Sequence, residues 1–424
     1  MLFAVKSLGL LSLFLITGAL SGQVYLEKQS RHRFAQLNFG VDYQFTGGGQ
    51  SVFLNPDNSR TTLNLEPFHY PRLVIGGTHF WGHADFYIAF SLHNPTQGSR
   101  EFEAQYFTGV ETAFKYYPWR IRHAKIRPYM GIMLAPYTYR QNNDQLSFPE
   151  GPELNVNSWP LMTGLTLNLK NQLIEAGISW HYNNQHDYYL SRTQIAQIST
   201  PPLAFNFSYR LMLETTLSAE KDWESGRTEK VTRYMSEKGL LNGIFVGAGV
   251  SSMFWSQSSS HNELVHPYIS GYENSSFLDL ALGYYLQKPD MNLTLNYRGM
   301  AAGTAAYGVE QQLSRRSLGL EVTKYLFDYH GFVPFIGPVG SLEFLEFQED
   351  IGGQNSIDRQ QEKTALGLTF GWDIRPNDLQ FFILRTNLRW YPWLDMAVTP
   401  GQQVPFGGLE FNFIQLIIYP GRML

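Results

Sequence analysis

The chain contains no cysteine, so it has no disulfide framework, no thiolate metal site, and no cysteine behind its first apolar stretch to carry a lipid anchor. Long apolar runs are missing as well. Beyond residue 20, nothing approaches the roughly 18 to 20 apolar residues of a membrane-spanning helix, which excludes helical spans. Charge is scarce: Asp, Glu, Lys and Arg make up 16% of the chain, against roughly 25% in an average soluble domain. A formal net charge of -4 over 424 residues leaves no basic stripe for nucleic acid and no acidic tail.

Aromatic residues are abundant instead, at 15% of the chain with 25 Tyr and 30 Phe, so the surface must be unusually apolar or aromatic. The first residues read as a signal peptide over 1–22. Lys6 precedes an apolar stretch from Leu8 to Leu20, and Ala19-Leu20-Ser21 supplies the small residues of a cleavage site. Export is therefore expected.

The remainder alternates with period 2, the period of strand side chains. From residue 34 to 45, Ala35, Leu37, Phe39, Val41, Tyr43 and Phe45 share one face, and Gln36, Asn38, Gly40, Asp42 and Gln44 share the other. Residues 174–183 and 203–214 behave alike. A soluble sandwich would also alternate, but with aliphatic inner faces and strands of about 5 to 6 residues. Here the apolar faces mix Leu, Phe, Tyr and Trp, and many segments reach the about 9 to 11 residues that a tilted transmembrane strand needs. Tyr116-Tyr117-Pro118-Trp119 and Trp390-Tyr391-Pro392-Trp393 fit interfacial girdles.

Sixteen strands are predicted, at 34–45, 72–80, 84–92, 108–117, 126–139, 160–169, 173–183, 203–214, 243–255, 276–286, 291–299, 315–326, 331–346, 364–374, 380–391 and 406–419. Short turns such as Lys170-Asn171-Gln172 and Lys288-Pro289-Asp290 alternate with long polar loops, as periplasmic turns alternate with external loops in bacterial outer-membrane barrels. The stretch from Thr215 to Asn242 departs from this rhythm, because it is long and highly charged. It is expected in the periplasm, joining halves 23–214 and 243–424.

The halves repeat. Leu203-Ala204-Phe205-Asn206-Phe207 returns as Leu409-Glu410-Phe411-Asn412-Phe413, and Pro128-Tyr129-Met130-Gly131 returns as Pro334-Phe335-Ile336-Gly337. Gly109-Val110-Glu111 matches Gly319-Leu320-Glu321, and Gly164-Leu165-Thr166-Leu167 matches Gly367-Leu368-Thr369-Phe370. Each half resembles the small eight-stranded outer-membrane barrels of the OmpA, OmpX and OmpW type. That resemblance rests on Phe114-Lys115-Tyr116-Tyr117-Pro118 leading to Arg127-Pro128-Tyr129-Met130-Gly131-Ile132, and on the Gly-Val-Glu strand openings. It implies architecture for most of the mature chain and supplies no catalytic motif. The chain departs from the usual terminal aromatic by ending Tyr419-Pro420-Gly421-Arg422-Met423-Leu424, so either Tyr419 takes that part or the assembly signal differs.

The fold class is thus an all-β, transmembrane antiparallel barrel of about sixteen strands in two similar halves, in the outer membrane of a Gram-negative bacterium. Small and polar inward residues (Gly40, Gly177, Ser179, Gly247, Gly249, Asn292, Thr294, Asn296) suit a wide aqueous lumen, so one sixteen-stranded barrel is expected, with two tandem eight-stranded barrels as the alternative. Asp42, Glu111, Lys115, Arg210, Arg298, Glu321, Arg385 and Arg389 are the candidate lumen-lining charges. In a narrow barrel the same groups would pair as a buried network. Passive passage of small polar solutes is the leading expectation. The alternative is a closed platform that docks proteins through Tyr188-Tyr189, Trp255, Tyr268 and Tyr272, or through the 215–242 connection.

Sites of chemistry are weak. His79, His83 and Asp85 form the best metal candidate, but they lack a third close ligand from the nearest histidines. Ser179 and His181 lie two apart on one inward face, a pair that alternation produces by itself, and no Gly-x-Ser-x-Gly turn is present. The acidic stretch from Glu343 to Asp350 lacks EF-hand spacing and reads as a solvated external loop. No enzyme, cofactor or nucleic-acid partner is expected; outer-membrane lipid is.

Overall fold

The computed structural model describes residues 30, 31, 33, 36–79, 82–99, 101–120, 122–214, 217, 218, 227–255, 257–269, 271, 272, 276–376 and 379–422. The expected signal peptide and the turn residues Phe80 and Trp81 lie outside them. All sixteen predicted barrel strands are present, four of them in the second half extended well beyond their expected limits. The first eight are β1 Gln36–Thr46, β2 Phe68–Thr78, β3 Ala84–Ser91, β4 Glu111–Tyr116, β5 Ile126–Asn143, β6 Leu161–Leu169, β7 Gln172–Trp180 and β8 Leu203–Glu214. The second eight are β9 Gly243–Trp255, β10 Ser276–Leu286, β11 Met291–Ala306, β12 Val309–Tyr325, β13 Phe332–Ile351, β14 Gln354–Ile374, β15 Phe382–Trp390 and β16 Gly408–Ile418. Within the charged connection, Arg227–Glu237 forms helix α1.

The pairing corrects the expected closure. Each strand pairs antiparallel with the next, but β8 turns back to β1, from Ala204↔Thr46 to Glu214↔Gln36, and closes the first half on itself. β9 pairs with β16 and closes the second half. The protein therefore consists of two eight-stranded barrels, not one sixteen-stranded barrel. Small inward residues misled the lumen argument because in a narrow bore they make room for large ones opposite. A β-carbon on Gly177 would fall into the hydroxyl of Tyr129, and one on Gly283 into the ring of Phe245.

The outer faces carry an apolar band. Phe39, Phe45, Phe114, Met130, Leu165, Phe205 and Phe207 are exposed on the first barrel, and Leu280, Leu295, Leu320, Leu342 and Leu368 on the second, while the residues between them are buried inside. Exposed Leu and Phe in such an array belong in lipid, and a closed barrel leaves no strand edge unpaired there. Among the described residues no helix is long and apolar enough to cross a membrane.

The barrels lie against each other. Ile88 of the first and Phe254, Phe411 and Phe413 of the second form one buried cluster, flanked by Ile75, Phe86, Leu134 and Leu388. Phe86 meets Trp372 edge to face with centroids 5.9 Å apart. Arg33 reaches Asp328 at 3.4 Å.

The loop-bearing ends of the two barrels, opposite the 215–242 connection, are built differently. Above the first, short strands Gly49–Leu54, Arg60–Leu65, Gln185–Tyr189 and Ile195–Ser199 form a separate sheet with its own core of Phe53, Leu54, Leu65, Tyr106, Tyr139, Tyr188 and Ile198. In the second, segments expected as long loops are strand. β11 and β12 run to a tight turn at Tyr307-Gly308, and β13 and β14 to one at Gly352-Gly353; the residues with positive φ, Tyr307, Gly308, Gly352 and Gly353, adopt what these turns require. The stretch from Glu343 to Asp350 is therefore not a solvated loop. It continues β13, with Glu343 and Glu349 buried inward. Strand alternation applies there as well, but outward Glu346, Gln348 and Asp350 hide it by being polar.

Candidate functional site

The eight lumen-lining candidates divide between the two barrels, all point inward, and all are buried. In the first, Arg72 of β2 binds Asp42 of β1 at 2.9 Å and also pairs with Glu111 of β4. Lys115 pairs with Glu175 of β7 and sits 4.4 Å from the ring centroids of both Tyr87 and Tyr129. Arg210 of β8 donates to Asp85 at 3.1 Å and to Glu175 at 3.4 Å. In the second, Arg389 of β15 bridges Asp279 and Glu321 at 2.5 Å each, and Arg385 forks onto Asp373 at 2.7 and 3.0 Å. Arg298 pairs with Glu410, and Arg315 forks onto Glu343 at 2.8 and 2.9 Å while reaching Glu410 at 2.9 Å. Cation and carboxylate alternate across each bore.

Sequence parity names eight of these sixteen charges; Asp85 is read instead as a metal candidate and Glu343 as part of a loop, and Arg72, Glu175, Asp279, Arg315, Asp373 and Glu410 are missed. The missed residues share the inward parity of those named, so parity carried to every strand end would have recovered them. Which cation meets which carboxylate depends on the diameter of the bore, and no local pattern records that.

His79, His83 and Asp85 do not come together. The His79 ring stacks on Tyr329 at the junction of the barrels, His83 lies 2.6 Å from the carbonyl of Tyr117, and Asp85 turns inward to Arg210. Ser179 and His181 do not pair either: His181 Nδ1 lies 3.1 Å from the hydroxyl of Ser158.

The end of the molecule that carries the long loops holds two more features. A cleft of about 550 Å³ opens between the sheet over the first barrel and the loops of the second, lined by Asn155, Asn157, Tyr189, Trp255, Gln257, Asn262 and Tyr272. The partly exposed rings of Tyr189 and Trp255, beside side-chain amides and the Glu263 carboxylate, suit a polar ligand with an apolar side. The cleft is held in shape from both sides. Tyr307 donates its hydroxyl to the Tyr189 carbonyl at 2.8 Å, and Arg192 donates to the Tyr307 carbonyl at 2.6 Å. The second feature is a cluster of His261, His266 and Glu349 beside this cleft, a grouping that the sequence could not reveal because about eighty residues separate the histidines from the carboxylate. A hydrogen bond to Glu349 raises the His261 imidazole above its usual value.

No protein-family model matches the chain, and no curated protein matches it. Solved barrels do. An outer-membrane channel from Pseudomonas putida F1 aligns with 92% of this chain and 97% of its own at 8% identity, with a TM-score of 0.21. The P. putida toluene transporter TodX aligns over 91% and 88% at 10% identity with a TM-score of 0.18, and CdiB from Acinetobacter baumannii over 91% and 60% at 9% identity with a TM-score of 0.18. Scores this low do not place the chain within any of these groups. Its own strand pairing shows two closed eight-stranded antiparallel β-barrels, each with an apolar outer belt and a filled bore.

Proposed function

We propose that the protein works from its outer surface, as a rigid two-barrel platform that presents the aromatic cleft to a polar ligand outside the cell. One observation carries this reading: the sheet over the first barrel, which has its own core, is tied through Tyr189 and Arg192 to Tyr307 of the second, while paired charges fill both bores. A buried ion pair adds little stability over an apolar filling of the same volume, but it seals and orders the site it occupies. Of the aromatic loop residues that the sequence marks as docking positions, Tyr189 and Trp255 line the cleft with partly exposed rings, which supports the same reading, while Tyr188, Tyr268 and Tyr272 are buried in cores. Trp255→Ala is expected to abolish binding of neutral oligosaccharides or polar peptides, read by titration against the wild type, with the heat-dependent gel mobility of the barrels unchanged. A wild-type chain that binds no member of either panel overturns the proposal.

Passage of small solutes is a second reading, favoured by a different observation. Beyond the ion pairs, buried inward polar atoms such as Thr294 Oγ1, Thr323 Oγ1 and Asn296 Oδ1 have no hydrogen-bond partner among the described residues, and groups of this kind are satisfied by water. Solutes would then pass only when the charged plugs part. Planar-bilayer recording separates the readings. A platform stays closed, and stepwise openings of the wild-type chain mark a channel.

A further inference from the structure

Helix α2, Ser260–Val265, stands at the external mouth of the second barrel. Ser259 caps its N-terminus by accepting from the Asn262 N–H, and His266 caps its C-terminus. His261 and His266 both turn toward the inward-facing Glu349 of β13. His261 Nε2 lies 2.9 Å, and His266 Nε2 3.3 Å, from the same carboxylate oxygen, and the two rings are nearly perpendicular with centroids 5.8 Å apart. Candidate ligand atoms from all three residues lie within 4.8 Å of one another, and all three residues are buried. This place is outside the lipid belt, because the outward residues of β13 change from Leu342 and Phe344 to Glu346, Gln348 and Asp350 before Glu349 is passed.

The surroundings fix the ligand atoms. Gln402 Oε1 sits 2.7 Å from His261 Nδ1 and accepts from the Thr399 hydroxyl at 2.7 Å, so it presents an acceptor and the imidazole proton belongs on Nδ1. The His261 Nε2 lone pair then faces a carboxylate oxygen, an arrangement that needs a cation between them: either a second proton or a metal ion. His266 Nδ1 lies 3.1 Å from the Tyr268 hydroxyl, which can accept from it and so leave Nε2 free to face Glu349. Glu349 is oriented by Gln311 of β12, whose amide donates to it at 2.7 Å and whose carbonyl accepts from the Tyr272 hydroxyl at 3.1 Å. Histidines and a carboxylate, each oriented by a second polar group, are the usual construction of a transition-metal site.

We propose that His261, His266 and Glu349 bind one first-row divalent metal ion, Zn²⁺ by the character of the ligand set, at the outer mouth of the second barrel. Bonds of about 2.0 to 2.2 Å to two imidazoles and a carboxylate need ligand separations only slightly wider than those present. Three protein ligands leave one position of a tetrahedral ion open to water or to a ligand entering the adjoining cleft, which Asn262 also lines. The ion would fasten α2 to the wall of the barrel and so hold one side of that cleft. This inference stands on the three residues alone and survives failure of the platform reading.

The test uses the full chain without an affinity tag, folded in detergent and stripped with a chelator, then titrated with Zn²⁺ against a chromophoric competitor. One saturable site per chain is expected. His266→Ala and Glu349→Gln are expected to weaken it by about 10- to 100-fold or more, while His79→Ala leaves it unchanged. Co²⁺ should give visible absorption of four- or five-coordinate type in the wild type and lose it in both variants. A second measurement needs no variant: Zn²⁺ should raise the unfolding temperature of the wild-type chain. A wild-type chain without saturable binding overturns the proposal, and so do His266→Ala and Glu349→Gln chains that bind as tightly as the parent; in either case the cluster is a protonated histidine paired with Glu349.

Discussion

Glu111 in the first barrel and Glu321 in the second stand at equivalent places in the repeat, yet Glu111 pairs with Arg72 of β2 and Glu321 with Arg389 of β15. Asn206 and Asn412 also correspond, and each donates to a buried aspartate, but Asp42 lies on β1 and Asp279 on β10. Tyr129 and Phe335 both stand inside, with a hydroxyl in one barrel and none in the other. The repeated frame dictates which positions face the bore. It leaves open which partners meet across it, since any long cation within reach can neutralise a carboxylate in so narrow a space. The mouths diverge further. Most strands of the first barrel stop near the membrane and carry a separate sheet, whereas β11 to β14, of 16 to 21 residues, extend the wall of the second outward.

The sharpest way to break this comparison is to empty one bore at a time. Arg389→Met leaves Asp279 and Glu321 buried without their shared cation and should cost about 3 to 5 kcal/mol, and Arg210→Met should do the same to Asp85, while Glu175 keeps Lys115. Chemical unfolding in detergent is expected to show Arg389→Met acting on the second barrel and Arg210→Met on the first, each followed by probes placed in that barrel. Equal shifts in both barrels from either variant would mean that they unfold as one unit.

A smaller effect sharpens the packing half of the comparison. Gly177→Ala should destabilise the first barrel by about 1 to 3 kcal/mol through collision with the Tyr129 hydroxyl. Tyr129→Phe in the same chain should recover much of the loss, because it removes the atom that collides. Absence of recovery would show that Asn206 Oδ1, the next nearest atom at 2.7 Å, or the backbone limits that site. Smallest of all, Lys363→Ala removes a half-exposed pair with Asp395 on the extended wall and should change the unfolding midpoint by less than about 1 kcal/mol.

Much of the frame was legible in the chain. Alternation of Leu203, Phe205 and Phe207 with Ala204, Asn206 and Ser208 gave β8 its limits and both its faces, and the repeated segments gave the division into halves. Strand extension through 300–314 and 347–363 was not legible, because above the lipid belt both faces of a strand are free to be polar and the contrast that marks a strand disappears. Gly40, Gly177 and Gly247 read as the lining of a wide lumen for a related reason: sequence reports the size of one side chain and not of the one opposite. Of the candidate sites, the inward charges could be named from parity, and the aromatic docking positions from their loops. The cluster of His261, His266 and Glu349 could not, since helix and strand meet only through the closure of the second barrel.

The sequence by itself determined an all-β chain with an apolar outer face in two related halves, because period-2 patterning and the lack of any long apolar run admit little else. Whether those halves opened into one sheet or closed into two was decided only in three dimensions. β8 has the same hydrogen-bonding edge to offer β9 as β1, and the choice between them rests on how Arg72, Arg210, Tyr129 and their counterparts fill the space that each closure leaves. An eight-stranded bore is just wide enough for such side chains to meet and neutralise one another, and a sixteen-stranded one would have left them apart.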